Sequence, residues 1–404
     1  MKKRILVVTS SYPYGKGEGF IEPELKHLSD DFIVDLLPTY PRGDIKKEYV
    51  DISGDYIQFN LFEFFYIRNF ILYMISRPLS LFKFIGLCFT KNLMHTLRNL
   101  TLLPKAIYFS ETNLLSKKYD FIYCHWLTAP AQLGLLLSEM TGTPFGVTAH
   151  RWDIIDANNF RKKMNKISFV RTISEHSNDL FPQYIIDSFS NKIQRIYLGV
   201  AVDEANSTRK LASDKIEFKF VCIGSLISVK GHVYLLEAIQ HVFRKFGPVK
   251  CTFIGDGKLL DELKAYSIKL GIEDSVVFEG NIEHSVVLDL LNSEQFDFCC
   301  LPSIDLGAGL HEGIPVALME AMNAGLPCIS TNTGSINELI NDGVNGLLVE
   351  DKNSIALGDS IIRLLSDEVL YSDLSKSGLQ SVSKNFNSRK NNKILCDMIR
   401  KFSL

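Results

Sequence analysis

Short apolar runs alternate with longer mixed segments along most of the 404-residue chain. The first run, ILVV, leads into a loop, SYPYGKGEGF, which is followed by a helical segment, IEPELKHL, and a second run, FIVDLLP. Apolar runs of this length, separated by segments with helical periodicity, are typical of parallel strands joined by crossover helices. The chain is therefore predicted to begin as βαβ and to have an α/β fold, with helices on both faces of a doubly wound sheet.

The same pattern restarts after a polar stretch at 203–215. A strand, FKFVCIG, a loop, SLISVKG, and a helix, HVYLLEAIQHVF, follow one another there. The small, polar and charged residues of 203–215 have the composition of a linker, and the chain is long enough for two domains. We expect a first domain at 1–202, the linker at 203–215, a second domain at 216–385 and a final helix at 386–404.

The stretch from 301 to 349 contains two acids placed around a predicted helix start. Pro315 suits the first turn of the helix VALMEAMNA, so Glu312 would lie in the preceding loop and Glu320 inside the helix. Such a helix start offers backbone N–H groups to an anion, and the two acids would contact hydroxyl groups of a longer ligand. Eight residues of one helix span about 12 Å. Paired glycosidase carboxylates lie roughly 5–9.5 Å apart, so a hydrolase pair is disfavoured.

The loop after the first strand is rich in glycine, which lets a backbone approach a ligand closely. Gly15, Gly17 and Gly19 have the spacing GxGxG, whereas the dinucleotide fingerprint is GxGxxG. Asp35 ends the second strand, roughly where an acid that binds a cofactor ribose would stand. A nicotinamide-dependent oxidoreductase therefore remains an alternative, although the glycine spacing disfavours it.

Residues 61–110 form a segment of aromatic and aliphatic residues that is interrupted by cations. Its charged residues are Arg68, Arg77, Lys83, Lys91, Arg98 and Lys105, with Glu63 as the one acid. Helices with an apolar face and a basic rim can lie on an anionic membrane surface. The alternative is that these helices cover the sheet of the first domain, and the sequence leaves both interpretations open.

Composition narrows the class of protein. A formal net charge of −2 gives no electrostatic footprint for nucleic acid, so no such partner is expected. Eight cysteines without CxxC spacing favour reduced thiols in a cytosolic protein. The run ILVV is too short for a signal peptide, and no stretch reaches about 18 uncharged apolar residues, so no transmembrane helix is predicted.

The segment EGIPVALMEAMNAGLPCISTNTGSINELINDGVNGLLV resembles the donor-binding segment of retaining glycosyltransferases of family 4, with its Glu-x7-Glu motif. Together with the N-terminal SYPYGKGEGFIEPEL, it is most similar to enzymes of colanic-acid and exopolysaccharide synthesis. The resemblance implies the GT-B fold, in which two Rossmann-like domains face each other across a cleft. It also implies a C-terminal helix that can return to the first domain.

The resemblance further implies transfer of a sugar from a UDP- or GDP-sugar to an acceptor hydroxyl, with retention of configuration. The acceptor would be a sugar or a lipid-linked glycan in synthesis of exopolysaccharide, capsule or lipopolysaccharide. No cofactor and no metal are implied, because no acidic DxD-like cluster accompanies the phosphate-binding elements. The protein would be cytoplasmic, with the membrane interpretation of 61–110 placing it at the inner face of the cell membrane.

The resemblance also assigns roles to residues. Lys230 matches the lysine of the family's GRLxxxKG segment, which grips the diphosphate, but Ser225 stands where an arginine is expected. Glu320 would hold the nucleotide ribose and Glu312 the sugar hydroxyls. The implied donor-binding residues are Gly17, Gly19, Ser225, Lys230, Gly255, Ile282, Glu312, Gly313, Ile314, Pro315 and Glu320.

His150 occupies the position of the histidine in an HGxD-like motif, although Arg151 replaces the usual glycine. By the resemblance, His150 would orient the donor sugar and would join Lys230 and Glu312 as a catalytic residue. Glu18 and Asp153 would lie on the acceptor side. Two alternatives share the fold: a noncatalytic partner protein, favoured by Ser225, and an epimerase or phosphorylase.

Overall fold

The computed structural model describes two compact units. Unit 1 comprises Met1–Tyr197 and Arg389–Leu404, and unit 2 comprises Leu198–Ser388. The residues described are 2–14, 18, 21–41, 52–57, 64–114, 117–156, 158–203, 206–211, 215, 217–307 and 309–404. The C-terminal residues from Arg389 onward thus belong with the N-terminal part of the chain.

Unit 1 is built on a parallel sheet with the strand order β2-β1-β3-β4-β5-β6. Its strands are β1 (Arg4–Thr9), β2 (Ile33–Pro38), β3 (Phe121–His125), β4 (Phe145–Ala149), β5 (Val170–Thr172) and β6 (Ile193–Arg195). Its described helices are α1 (Glu22–Asp31), α2 (Phe64–Ser76), α3 (Pro78–Cys88), α4 (Leu93–Phe109), α5 (Ala129–Thr141), α6 (Arg151–Ile155), α7 (Phe160–Lys166), α8 (His176–Asp179) and α9 (Gln183–Phe189). Strands β3 and β4 are wholly buried, because helices cover both faces of the sheet.

Unit 2 repeats this architecture with the strand order β12-β11-β10-β7-β8-β9, again with parallel pairs throughout. Its strands are β7 (Phe218–Ile223), β8 (Val249–Ile254), β9 (Val276–Gly280), β10 (Phe298–Leu301), β11 (Cys328–Thr331) and β12 (Leu347–Val349). Its helices are α10 (His232–Lys245), α11 (Leu260–Leu270), α12 (His284–Asn292), α13 (Val316–Asn323), α14 (Ser354–Ser366) and α15 (Glu368–Asn385). The last helix, α16 (Ser388–Phe402), belongs to unit 1 from Arg389 onward. The predicted α/β class with two doubly wound domains is confirmed.

The stretch 203–215, predicted as a linker, lies inside unit 2 rather than between the units. The Arg209 guanidinium donates to the carbonyls of Phe296 and Ala324 at 3.0 and 3.1 Å, and its backbone N–H donates to Ser375 Oγ at 2.8 Å. The described residues of this stretch, 203, 206–211 and 215, are irregular, as its polar composition indicates. Polar composition does not show that the stretch lacks packing contacts, because Arg209 binds it to the carbonyls of Phe296 and Ala324.

Residues 64–109 form three helices that both cover the core and expose apolar surface. Their inward side chains, among them Tyr66, Tyr73 and Leu81, join the hydrophobic core of unit 1. Their opposite side exposes large residues such as Ile75 and Leu79. In the described ranges no single helix is long and apolar enough to cross a membrane, although the bent pair α2 and α3 is apolar enough when taken together.

A buried polar cluster crosses the interior of unit 1. Glu24 of α1 forms an ion pair with Arg171 of β5, and both side chains are almost fully buried. His125 Nε2 lies 2.9 Å from Glu24 Oε1, and the Tyr123 hydroxyl donates to the same oxygen at 2.9 Å. Burial alone would raise the pKa of Glu24, but Arg171 and His125 hold this pKa far below its ordinary value.

Removing Arg171 should destabilise unit 1 strongly, because it leaves the Glu24 carboxylate buried without its main partner. We expect Arg171→Leu to lower the free energy of unfolding by about 3–5 kcal/mol, measured by urea denaturation. Arg195→Leu is the matched control, because Arg195 forms an exposed ion pair with Glu175 whose loss should change stability by less than about 1 kcal/mol. Equal losses in both variants would contradict a structural role for the buried pair.

Candidate functional site

The candidate site of unit 2 lies where the strand order of its sheet reverses. The chain runs from β7 outward to β8 and β9, then returns to place β10 on the other side of β7. The loops that leave β7 and β10 therefore lie beside each other at the carboxyl edge, where open α/β sheets usually bind a ligand in a crevice. Lys230 follows β7 and Glu312 follows β10, so both lie at this switch point.

Lys230 and Glu312 form an ion pair in the ligand-free chain. Lys230 Nζ lies 2.5 Å from Glu312 Oε2, and both side chains are mostly buried. Ser303 Oγ, just after β10, lies 3.4 Å from the same carboxylate oxygen. Lys230 and Glu312 thus neutralise each other's charge in this structure.

Two glycines allow the loops of this crevice to approach one another. Gly231 has φ +67°, and a Cβ there would lie 2.0 Å from the Pro302 carbonyl oxygen. Gly255 has φ +139°, and a Cβ there would lie 2.1 Å from the Gly224 carbonyl oxygen. Any side chain at either position would push the loops after β7, β8 and β10 apart.

The helix α13 begins at the crevice as the sequence predicts. Pro315 is its N-terminal cap residue with an extended backbone, and the carbonyl of Pro315 accepts from Leu318 N–H at 3.2 Å. Gly313 is exposed, and a Cβ there would meet nothing within 4 Å, so the backbone beside Ile314 faces open space. The backbone N–H groups of Gly313 and Ile314 are therefore accessible to a ligand.

Glu320 has a partner that sequence reasoning missed. His284 Nε2 lies 2.7 Å from Glu320 Oε1, with the histidine exposed and the carboxylate buried. His284 begins helix α12 two residues after Ile282, which is partly buried. The available signal was the position of His284 two residues after Ile282, a predicted donor-binding residue.

Ser225 follows Gly224, whose carbonyl lies close to Gly255. Its side chain is exposed, and its backbone carbonyl accepts from Ile227 N–H at 2.8 Å. A serine hydroxyl is neutral, so this position adds no positive charge to that of Lys230. The difference from the expected arginine is therefore a real difference in the charge of the crevice.

In unit 1, His150 and Asp153 form one local arrangement at the carboxyl end of β4. His150 N–H donates to Asp153 Oδ1 at 2.6 Å, which caps the short helix α6, and Asp153 also accepts from Leu127 N–H. Burial raises the pKa of Asp153 to about 7, against the opposing effect of these N–H donors. Asp153 therefore stabilises the backbone of the loop that contains His150, by accepting hydrogen bonds from His150 and Leu127.

The His150 ring is buried against Trp126, with ring centroids 4.2 Å apart. Burial, with a smaller contribution from His125, lowers the pKa of His150 to about 3, so the imidazole is neutral near pH 7. Trp126 itself has φ +86°, an uncommon conformation for a bulky residue that is often found at functional sites. Sequence reasoning missed Trp126, since backbone strain has no residue signature.

Glu18 is engaged by the loop that surrounds it. Its carboxylate accepts from the backbone N–H groups of Ser11 and Tyr12, both at 2.6 Å, and from the indole N–H of Trp126. These bonds join the loop after β1 to the end of β3, across the switch point of the first sheet. Gly17 and Gly19, predicted to contact the donor, lie outside the described residues.

Across the described ranges, no group of three or more His, Cys, Asp or Glu residues is arranged to hold a metal ion.

Comparison with known proteins gives a consistent result. Residues 203–381 match the sequence model of the family described as Glycosyl transferases group 1. An uncharacterized glycosyltransferase of Methanocaldococcus jannaschii is 25% identical over 301 residues, covering 72% of this chain and 78% of that protein. The UDP-Gal:alpha-D-GlcNAc-diphosphoundecaprenol alpha-1,3-galactosyltransferase of Escherichia coli is 25% identical over 318 residues, with the same coverage of 72% and 78%.

The fold is also that of a solved glycosyltransferase from Rickettsia africae ESF-5, with a TM-score of 0.70, 18% identity and coverage of 100% of this chain and 99% of that one. The family match contains Lys230, Glu312 and Glu320, so the crevice of unit 2 lies in a glycosyl transferases group 1 domain.

His150 should remain neutral well below its ordinary titration range. The folded pKa of about 3 lies below the ordinary value of 6.5, so the unfolded chain binds more protons between these values and stability should fall as the pH drops through this window. Spectra of protein with 13C-labelled histidine rings should show that the His150 signal does not titrate between about pH 5 and 8. The buried ring of His232, whose pKa is lowered to about 4, should give a second such signal. The His150→Asn variant assigns the His150 signal, and titration of that signal near pH 6.5 would contradict the burial argument.

Proposed function

We propose that this chain is a retaining glycosyltransferase that moves a sugar from a UDP- or GDP-sugar to an acceptor hydroxyl. The observation that carries the proposal is the Lys230–Glu312 pair at the switch point of the second sheet. A crevice at this position with a buried cation and exposed backbone N–H groups fits a diphosphate. The group 1 family match over the same residues supports this choice of ligand.

Lys230 would stabilise the charge that develops on the departing diphosphate. When the donor binds, its phosphates would replace Glu312 as the partner of Lys230, and Glu312 would turn to the sugar hydroxyls. At the helix start Gly313–Pro315, the backbone N–H groups of Gly313 and Ile314 would help to stabilise the same charge, whereas Pro315 has no N–H. Glu320, positioned by His284, would accept hydrogen bonds from the ribose.

His150 would bind the donor sugar as a neutral imidazole, which has one donor and one acceptor nitrogen. Asp153 would act by fixing the histidine loop, and Glu18 by fixing the loop after β1. The reaction needs no protein nucleophile in this proposal, and no metal ion or cofactor.

We propose a lipid-linked glycan as acceptor, in cell-surface polysaccharide synthesis at the cytoplasmic face of the membrane. The name of the Escherichia coli relative includes a diphosphoundecaprenol-linked acceptor, which supports this choice. A noncatalytic partner protein is the second candidate, because Ser225 removes a positive charge from the crevice.

A panel of nucleoside diphosphates and their sugars tests the donor site. A ligand at about 100 times its dissociation constant should stabilise the protein by about 2.7 kcal/mol, a measurable rise in melting temperature. Lys230→Ala and Glu320→Ala should each weaken nucleotide binding at least about tenfold, since each removes a charged or hydrogen-bonding contact. Lys219→Ala is the control, because Lys219 is exposed on β7 away from the carboxyl edge.

A response to one base would identify the donor, and it should be accompanied by sugar transfer in an assay with lipid-linked acceptors. Wild-type binding in both Lys230→Ala and Glu320→Ala would refute the assignment. No response to any nucleotide would favour the noncatalytic candidate.

Ser225→Arg should tighten nucleotide diphosphate binding, because it adds a cation at the edge of the crevice. A charge pair at about 4 Å and an effective dielectric near 20 is worth roughly 4 kcal/mol before desolvation. Desolvation and screening at this exposed position reduce the net gain to about 1 kcal/mol, so a gain of several-fold in affinity is expected. Calorimetry would measure it. Ser366→Arg, an exposed position at the end of α14, changes the net charge equally and should leave the affinity unaltered.

A further inference from the structure

Helices α2, α3 and the start of α4 present an apolar surface that is unusual for the outside of a folded protein. Nearly half of all exposed large hydrophobic side chains in the described chain lie between 64 and 97. They are Phe64, Phe65, Ile67, Ile71, Leu72, Met74, Ile75, Leu79, Phe82, Phe89, Leu93, Met94 and Leu97. Such a concentration of exposed apolar side chains on three consecutive helices indicates an interaction site.

This surface is the outer side of helices whose inner side is already packed. In α2, Tyr66 and Tyr73 point into the core of unit 1, whereas Ile71 and Ile75 lie on the opposite side and are exposed by 44% and 72%. Tyr66 also packs edge-on against Tyr108 of α4, with ring centroids 5.0 Å apart. A surface helix normally carries polar residues on its outer side, so a second apolar side needs a second apolar partner.

Side-chain hydrogen bonds hold the C-terminal end of α3 firmly in unit 1. Asn99 Nδ2 donates to the Cys88 carbonyl at 3.1 Å, and Asn159 Nδ2 donates to the Leu87 carbonyl at 2.9 Å. Lys162 Nζ donates to the carbonyls of Gly86 and Phe89 at 2.9 and 2.7 Å. The apolar surface is therefore presented by a fixed scaffold.

Exposed cations lie on the same stretch of chain as these apolar side chains. Arg68, Lys91 and Arg98 are exposed and have no carboxylate partner in the described ranges, and α2, α3 and α4 contain no acidic residue. Lys83 and Arg77 are exposed as well, each with one acidic partner, Glu139 and Glu111. Exposed apolar side chains accompanied by cations complement an anionic lipid bilayer. The acyl chains can accept the apolar side chains, and the phosphate groups can pair with the cations.

The helix lengths exclude a span by either helix alone and favour insertion parallel to the membrane. Helix α2 has 13 residues and α3 has 11, and the two meet at an angle of 119°. Thirteen helical residues rise about 20 Å, short of the roughly 30 Å hydrocarbon core. Since the inner side is packed in the protein core, one side alone is available to lipid.

We propose that α2, α3 and the first turn of α4 insert their outer side into one leaflet of an anionic membrane, with Arg68, Lys91 and Arg98 at the headgroups. Leu79 and Phe82, exposed by 85% and 72%, enter the acyl region. This inference deepens the proposed function, because a lipid-linked acceptor would be met at the same surface, but the membrane contact itself stands on the surface alone.

Vesicle sedimentation tests the insertion with the full chain. Wild-type protein should bind phosphatidylcholine vesicles with about 30% phosphatidylglycerol more tightly than phosphatidylcholine alone. Leu79→Ser with Phe82→Ser should weaken binding at least about tenfold, as expected for loss of two buried apolar side chains. The control is Ile268→Ser with Val369→Ser, which removes two similarly exposed apolar side chains from unit 2 and should leave binding unchanged.

Fluorescence distinguishes insertion from adsorption to the headgroups. In Phe82→Trp the added emission should be quenched by lipids brominated on the acyl chains, whereas that of Phe243→Trp on α10 should not. Binding that disappears between about 0.05 and 0.5 M salt, without such quenching, would overturn insertion in favour of purely electrostatic attachment.

Two further outcomes would overturn the inference. Absence of vesicle binding by the wild type is one. A concentration-dependent dimer that is lost in Leu79→Ser with Phe82→Ser would be the other, since it would assign the surface to a second copy. Melting-temperature shifts with nucleotides in the same variants separate this test from the donor site: they should persist when vesicle binding is lost.

Discussion

The ion pair between Lys230 and Glu312 depends on the strand order of the second sheet, and the crevice around it depends on the same constraint. Only because β10 lies beside β7 do the loops after these two strands meet. Gly231 permits that meeting, because the Pro302 carbonyl occupies the space that a side chain would need. Gly255 likewise permits the approach of the loop after β8 to the Gly224 carbonyl in the loop after β7. A mostly buried ion pair gains little net free energy once desolvation is counted. Replacing Glu312 by the phosphate of the proposed donor, as the partner of Lys230, is therefore expected to cost little free energy. The pair is well suited to open for a ligand.

Three buried acidic residues of unit 1 stabilise its structure through hydrogen bonds and an ion pair. Glu18, Glu24 and Asp153 accept from backbone N–H groups, an arginine or an indole, and all three are buried. Their contacts join segments that lie far apart in the sequence, such as Glu24 and Arg171. The result is a stiff carboxyl edge on which a neutral His150 is held against Trp126. These three carboxylates position other polar groups. None of the three is exposed, so none is available to act as a base.

The sequence was a good guide where the signal is local and a poor one where it is not. Apolar runs and helix starts predicted the two parallel sheets and the helix after Pro315, because strands and caps have their own residue preferences. His284 escaped notice because its partner Glu320 comes 36 residues later, and only the fold brings them together. The stretch 203–215 looked like a linker because composition records polarity, not the three carbonyls and the serine that bind a fixed arginine. The two interpretations of 61–110 stayed open for a related reason: periodicity shows which residues are apolar, but not which side of a helix is already covered.

Helix α7 connects the apolar surface of unit 1 to its histidine loop through two adjacent lysines. Lys162 binds the carbonyls at the end of α3, whereas the buried Lys163 donates to the carbonyls of Leu127 and Thr128 at 2.6 and 3.1 Å. Leu127 N–H in turn donates to Asp153, which holds the His150 backbone. Such a chain of bonds, seen in one arrangement, describes a scaffold and is not evidence of a signalling path. It does fix the distance between the surface proposed to enter lipid and the histidine proposed to bind the sugar, which is what a reaction on a membrane-borne acceptor requires.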